Sequence, residues 1–192
     1  MESFSILKGF DVSTLPSRPV TGLEVLWNPP PKGWVKVNMD GLARGSPPLI
    51  ACGDIFHTED ASHVGSLCDF MVGGDVALAE LLATIVAIVK AGILGYEKLW
   101  MESDCKLFVK AFSDLNIVPW KIRSHWLRCI VYTRTIDFMI SHVFREANFC
   151  VDFVANLGLS ICRFAWFSFV HSVLVKDYLL YKEGTPRLRL CS

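Results

Sequence analysis

The sequence has little of what most readily settles a protein's class. Its seven cysteines form no CxxC pair, and none stands at zinc-finger spacing from the five histidines. That argues against a structural zinc site, and the odd count argues against a disulfide framework. There is no excess charge of either sign, because nineteen basic residues balance nineteen acidic ones. Overall charge therefore draws the chain to neither nucleic acid nor membrane, and any nucleic-acid contact must rest on a local patch. No internal repeat or low-complexity tract is visible. The opening MESFSILKGFDVSTLPSRP has neither the basic start nor the apolar core of a secretory signal. Two apolar stretches raise the question of a membrane. Residues 76–94 carry Glu80 and Lys90, and residues 161–175 carry Arg163 and His171. The second is short of the roughly 20 apolar residues that cross a bilayer. The expectation is a monomer with reduced thiols and no membrane contact, in the nucleus or the cytoplasm.

What is present is a core. With 52% hydrophobic residues among 192, the chain can fill one ordinary domain. Residues 1–26 are polar, proline-punctuated and aperiodic, which reads as a poorly ordered leader. WNPPPKGW marks a boundary, since three prolines and a glycine fit neither a helix nor a central strand. The domain is expected over 27–160, with a C-terminal extension over 161–192. Strands are expected at 34–40, stopping at Asp-Gly, and at 49–56 and 64–72, joined as an antiparallel meander. A helix apolar nearly all round follows at 75–94, ended by Gly95. Then come a strand at 98–102, a helix through Phe112, and a helix from Pro119 to about Tyr132. A fifth strand over 136–144 and a helix over 147–157, ended by Gly158, complete the pattern. The implied fold is α/β: a mixed five-stranded sheet, three strands antiparallel and then two parallel, with helices on both faces.

Four acidic residues stand out against this apolar background. Asp40 ends VKVNMDG, Glu80 interrupts ALAELLATIVAIVKAG, Asp104 follows KLWMES, and Asp152 lies in HVFREANFCVD. A carboxylate in such a setting costs several kcal/mol unless a partner or cation satisfies it. One alone reads as a helix cap or a surface charge. Four with these flanks point to a shared divalent-cation site, the arrangement a two-metal nuclease needs. Asp40, at the end or middle of the first strand, and Asp104, at the C-terminal end of the fourth, would be neighbours in the sheet, with Glu80 and Asp152 reaching over the same edge.

These residues also carry a resemblance. DG after the first strand, AEL on the first helix, ESDC after the fourth strand and HVFREANFCVDFVAN are similar to ribonuclease H type 1. More narrowly, WNPPPKGWVKVNMDG and the closing GTPRLRLC resemble plant ribonuclease H-like domains related to non-LTR retrotransposon reverse transcriptases. The resemblance covers about 27–160. It implies an RNase H-like fold and Mg2+-dependent (or Mn2+-dependent) endonucleolytic hydrolysis of the RNA strand of an RNA–DNA hybrid. Asp40, Glu80, Asp104 and Asp152 would be the metal-binding quartet. His142, ten residues before Asp152, would match a histidine that aids proton transfer or product release. Asn148 would match a substrate-contacting asparagine, and equally reads as an N-cap. Leu42, Pro48 and Asp54 depart from the family pattern, and an acid at 54 facing the substrate would repel phosphate.

The local basic patch is KIRSHWLRCIVYTR, where Lys121, Arg123 and Arg128 are candidate phosphate contacts and Trp120 and Trp126 candidate stacking partners. The same pattern also reads as a solvated helix face with core aromatics. Two other readings stand beside the enzyme. One is a catalytically weak or inactive nucleic-acid-binding module, a retroelement remnant. The other is a thiol enzyme using Cys105 or Cys150 with His142.

Overall fold

The structure, a computed structural model, describes residues 21–191. Its centre is the meander of β2 (Val35–Arg44), β3 (Leu49–His57) and β4 (His63–Val72), preceded by a short strand β1 (Thr21–Val25). Helix α1 (Val76–Ile93) then leads to β5 (Lys98–Ser103), α2 (Lys106–Ala111), α3 (Arg123–Thr133), β6 (Asp137–His142) and α4 (Phe149–Ile161). Strand β7 (Ala165–Phe167), helix α5 (Val175–Lys182) and β8 (Arg187–Cys191) finish the described chain. The main sheet runs β6–β5–β2–β3–β4–β7. Strands β2, β3 and β4 pair antiparallel, whereas β5 lies parallel to both β2 and β6. This is the mixed sheet expected, with one strand more.

The extra strand comes from the apolar stretch 161–175. Residues 165–167 pair antiparallel with β4, through Ser66↔Phe167 and Cys68↔Ala165. A three-residue edge strand has too few alternations to announce itself. Residues 21–25, inside the expected leader, instead form β1, antiparallel to β8 with Leu23 opposite Arg189. The expected leader's residues 1–20 lie outside the described residues.

The two faces of the sheet hold separate cores. On one side α1, α2 and α3 cover Val37, Met39, Phe56, Leu67, Leu99 and Met101. On the other, α4 covers Ile55 and Cys68, and Trp27 and Tyr181 extend that core. Helix α1 has the length and composition of a membrane span, but half of it is buried in the fold. Its apolar surface faces the sheet and α3, which is why it is apolar nearly all round. Asp75 opens it by accepting from the Leu78 N–H at 2.8 Å, and Gly95, at φ +75°, turns the chain away after it.

Three boundaries lie four residues from expectation, and two turn on glycine. Strand β2 does not stop at Asp-Gly but continues to Arg44. A Cβ on Gly41 would lie 2.3 Å from the Glu80 nitrogen, so this glycine lets α1 approach the strand. Helix α4 does not end at Gly158 but at Ile161, with Cys162 left-handed at φ +50°. Gly158 is needed inside the helix, where a Cβ would meet the Asp69 carbonyl at 2.9 Å. Helix α3 begins at Arg123, because residues 119–122 form turns.

Candidate active site

The parallel register of β2 and β5, from Val35↔Leu99 to Met39↔Ser103, brings the next residues of both strands to the same end of the sheet. Those residues are Asp40 and Asp104. Close packing at Gly41 then sets Glu80 of α1 beside them. On the paired strand, Gly53 lies opposite Asp40, and a Cβ there would meet the Ala155 nitrogen of α4 at 2.4 Å. Two glycines on adjacent strands thus let the two helices that carry acids approach the same strand end.

The result is a triad. Carboxylate oxygens of Asp40, Glu80 and Asp104 lie within 4.8 Å of one another. Burial, reinforced by the charges of Asp40 and Asp104, pushes the Glu80 carboxyl up to about 9. Burial likewise raises Asp40 to about 7, with Asp104 and Asp152 adding to the shift and Arg145 and the Gly41 N–H opposing it. The donor set is all carboxylate oxygen, with no thiol or imidazole among the three, which suits a hard divalent cation. A cation would supply the charge that lets three crowded carboxylates ionise together. The residues fit Mg2+ or Mn2+.

Asp152 is at the rim of this site. It lines the same cleft of about 240 Å³ as the triad, but its carboxylate is 3.4 Å from the Arg145 guanidinium and stands apart from the cluster of three. The expected quartet is therefore a triad plus a fourth acid held by an arginine. Arg145 is the residue the sequence did not single out. It sits in the 3-10 turn Arg145–Ala147 between β6 and α4, so its direction depends on a turn that carries no local signature.

Asn148 has a different task from either expectation. It stands at the start of α4 without capping it through its side chain. At 2% exposure it is buried. Its amide donates to Asp104 Oδ1 at 3.0 Å and to the Met39 carbonyl at 2.9 Å, while its oxygen accepts from Asn38 at 3.0 Å. The Asn38 oxygen in turn accepts from the Trp27 indole at 2.8 Å. Asp104 is thus oriented by a buried chain that starts in the WNPPPKGW segment. Beside it, Lys36 pairs with Glu102 at 2.8 Å and sits 3.7 Å from the centre of the Trp100 ring. Burial lowers the Lys36 ammonium even though Glu102 holds it up.

His142, exposed at the end of β6, places Nε2 3.1 Å from the Asp104 carbonyl oxygen. The basic patch, by contrast, is not brought to this cleft. Arg123 donates to the Val118 carbonyl at 3.1 Å, and Arg128 lines a groove with Ile85, Ile88 and Val89, further along α1 from Glu80. Lys121 is exposed in the turn before α3. Trp126 is fully buried and donates to the Ala111 carbonyl, so it cannot stack on a ligand, whereas Trp120 is 79% exposed. Asp54 does not face the cleft either. It shares the α1 side of β3 with Cys52 and Phe56, at 0% exposure, and burial, reinforced by the charges of Asp40, Glu80 and Asp69, raises its carboxyl well above the ordinary value. The thiol reading also fails. Burial pushes Cys150 up to about 12 and raises Cys105, so neither supplies a thiolate.

A mixed sheet in this order, with an acidic triad at its strand ends, defines an RNase H-like domain. The chain belongs to the reverse transcriptase-like family, whose model matches residues 38–158. It is 27% identical over 146 residues to an Arabidopsis thaliana protein named "Putative ribonuclease H protein", spanning 70% of this chain but only 22% of that protein. Among solved structures, RNase H1 of the archaeon Halobacterium salinarum superposes with a TM-score of 0.57 at 25% identity, covering 66% of this chain and 98% of that one. LC11-RNase H1, solved in complex with RNA/DNA hybrid, superposes with a TM-score of 0.57 at 16% identity, over 67% of this chain and 98% of its own. The latter likeness concerns the fold alone.

Proposed function

We propose that this domain is a divalent-metal-dependent ribonuclease that hydrolyses the RNA strand of an RNA–DNA hybrid. The observation that carries the reading is the convergence of Asp40, Glu80 and Asp104 within 4.8 Å, with two of them held well above the ordinary carboxylate range. A carboxyl group pushed up by burial and by neighbouring acids is a poor structural element but a good cation ligand in waiting. The names of the Arabidopsis relative and of the Halobacterium neighbour support the same chemistry, and the hybrid bound to LC11-RNase H1 supports the substrate class.

The three carboxylates would hold Mg2+, or Mn2+ with the same oxygen donors, and Asp152 is placed to join them from the rim. When bound, such a cation would supply Lewis-acid polarisation of the phosphate and a more acidic water, the chemistry a two-metal hydrolysis would use. The chain's own residues do the rest. Asn148 fixes which Asp104 oxygen faces the cleft. Arg145 holds Asp152 and offers positive charge where a phosphate approaches. His142, on the solvent side of Asp104, can exchange a proton with the leaving 3′ oxygen. The competing binding-module reading draws on Pro48 and Asp54 standing where the family has glycines, and Asp54 is buried and does not line the cleft.

A panel of end-labelled duplexes tests the proposal. In millimolar Mg2+ the hybrid's RNA strand should be cut internally, leaving 3′-hydroxyl and 5′-phosphate ends, with double-stranded DNA untouched. Equal cleavage of all duplexes, or scission of the DNA strand, would rule out the assigned substrate.

A further inference from the structure

Next to the triad lies a second cleft of about 270 Å³ that shares Asp104 and Arg145 with it. Its other walls are Lys106 at the start of α2, His142 at the end of β6, Val143 and Phe144 just after it, and Arg189 from β8. Arg189 lies outside residues 38–158, the part of the chain that defines the family. It arrives because β8 pairs with β1, placing Arg189 opposite Leu23 in that two-stranded sheet. Its guanidinium lies 4.5 Å from the centre of the Phe144 ring and 3.2 Å from Glu146. The ring is 40% exposed, so the stack faces solvent.

The charges around this cleft can be weighed. Lys106, Arg145 and Arg189 are positive, while Asp104 lies at the shared edge. Glu146 and Asp152 each meet one arginine, at 3.2 and 3.4 Å, through partly exposed contacts. Such partly exposed pairs contribute little, so a phosphate can compete with them. A guanidinium has five N–H donors, and the Glu146 contact uses Nη1 of Arg189. The remaining donors are free for a ligand, held in a plane by the Phe144 ring.

We infer that the C-terminal strand completes the substrate site, with Arg189 contacting a backbone phosphate of the strand that runs from the triad past Asp104 into this second cleft. The inference rests on the reading of the triad as a nuclease site. It gives the two-stranded β1–β8 sheet a role in substrate binding as well as in packing. Arg187, two residues earlier on β8, makes the internal control. It pairs with Asp177 at 2.7 Å, lies against Phe149 and does not line the cleft.

The test is equilibrium binding of a short RNA–DNA hybrid in chelator, where no cleavage intervenes, over a range of salt. One lost phosphate contact lowers the slope of log K against log[salt] by about 0.9 and, at 0.1 M salt, weakens binding about fivefold to tenfold. Arg189→Gln, which keeps a stem on Phe144, should show both changes. Arg189→Lys should restore the slope, and Arg187→Ala should match the wild type. Wild-type slope and affinity in Arg189→Gln would overturn the inference while leaving the nuclease reading in place. A wild-type protein that binds no hybrid would overturn both.

Discussion

The Asn148 side-chain amide donates to Asp104 Oδ1 at 3.0 Å and, from the same nitrogen, to the Met39 carbonyl at 2.9 Å. One buried amide therefore ties the middle of β2, where Asp40 follows Met39, to the carboxylate that follows β5. Side chains that hold metal ligands are typically worth 10–100-fold in metal affinity or activity. Asn148→Leu should reduce hybrid cleavage by about that factor and weaken Mg2+ binding in titration calorimetry. It should also lower stability by about 1–3 kcal/mol, since Asn38 and the Met39 carbonyl lose a partner. Unchanged Mg2+ affinity in a folded Asn148→Leu protein would reduce Asn148 to a packing residue.

The carboxylates of the triad set the direction of a pH effect. Glu80 and Asp40 have folded values of about 9 and 7, above the ordinary carboxylate range that applies to the unfolded chain. At these two groups the folded, metal-free protein therefore binds more protons than the unfolded one between about pH 4 and 9. Their contribution to stability is fully present below pH 4 and is lost as pH rises through 7 towards 9. Glu80→Gln should remove most of that slope, raising metal-free stability at pH 8 by on the order of 3 kcal/mol and changing little at pH 4. The check is thermal unfolding in chelator at both pH values. Parallel losses in wild type and variant would contradict the crowded-charge account.

His57 works in the opposite sense. It is fully buried between Trp27 and Tyr178, neither ring nitrogen finds a partner among the described residues, and burial, then His63 and Lys36, lower its imidazole well below the ordinary value. The folded state needs the neutral ring. Its contribution is present above about pH 6.5 and is lost as pH falls below that value. His57→Phe should flatten the fall in melting temperature between pH 7 and pH 5. A steeper fall in the variant would show that the imidazole is protonated in the fold.

Gly41 tests how the site is assembled. Alanine there would need α1 to retreat from β2, because its Cβ would lie 2.3 Å from the Glu80 nitrogen and 2.4 Å from the Ala79 carbonyl carbon. Gly41→Ala should lose about 2 kcal/mol or more of stability. It should also lose Mg2+ affinity, because Glu80 moves with its helix. Full Mg2+ affinity in this variant would mean that the helix position does not matter to the centre.

Much of this site was legible in the sequence because its acids interrupt apolar runs. Asp40 follows an apolar stretch of β2, Asp104 follows β5, and Glu80 breaks an apolar helix, so each acid contradicts its surroundings where ligands converge. Side-chain direction was not legible. Arg145 and Arg189 arrive through a 3-10 turn and a short two-stranded sheet, neither of which leaves a periodic trace. Trp120 and Trp126 look alike on paper, yet one is in solvent and the other in the core. Asn148 read as a cap or a substrate contact because the sequence cannot show Asn38, more than a hundred residues away, aimed at it. Gly41 and Gly158 read as stops, whereas helix packing against the sheet is what requires them.

The most direct test of the metal-centre claim pairs two measurements on Asp104→Asn. The first is cleavage of a labelled RNA–DNA duplex in millimolar Mg2+, and the second is melting temperature in chelator. The expected result is a wild type that cuts the RNA strand, and a variant that is slower by several orders of magnitude and at least as stable as the wild type without metal. A wild type inactive in both Mg2+ and Mn2+ would contradict the ribonuclease, and a variant less stable in chelator would contradict the charge cluster on which it rests.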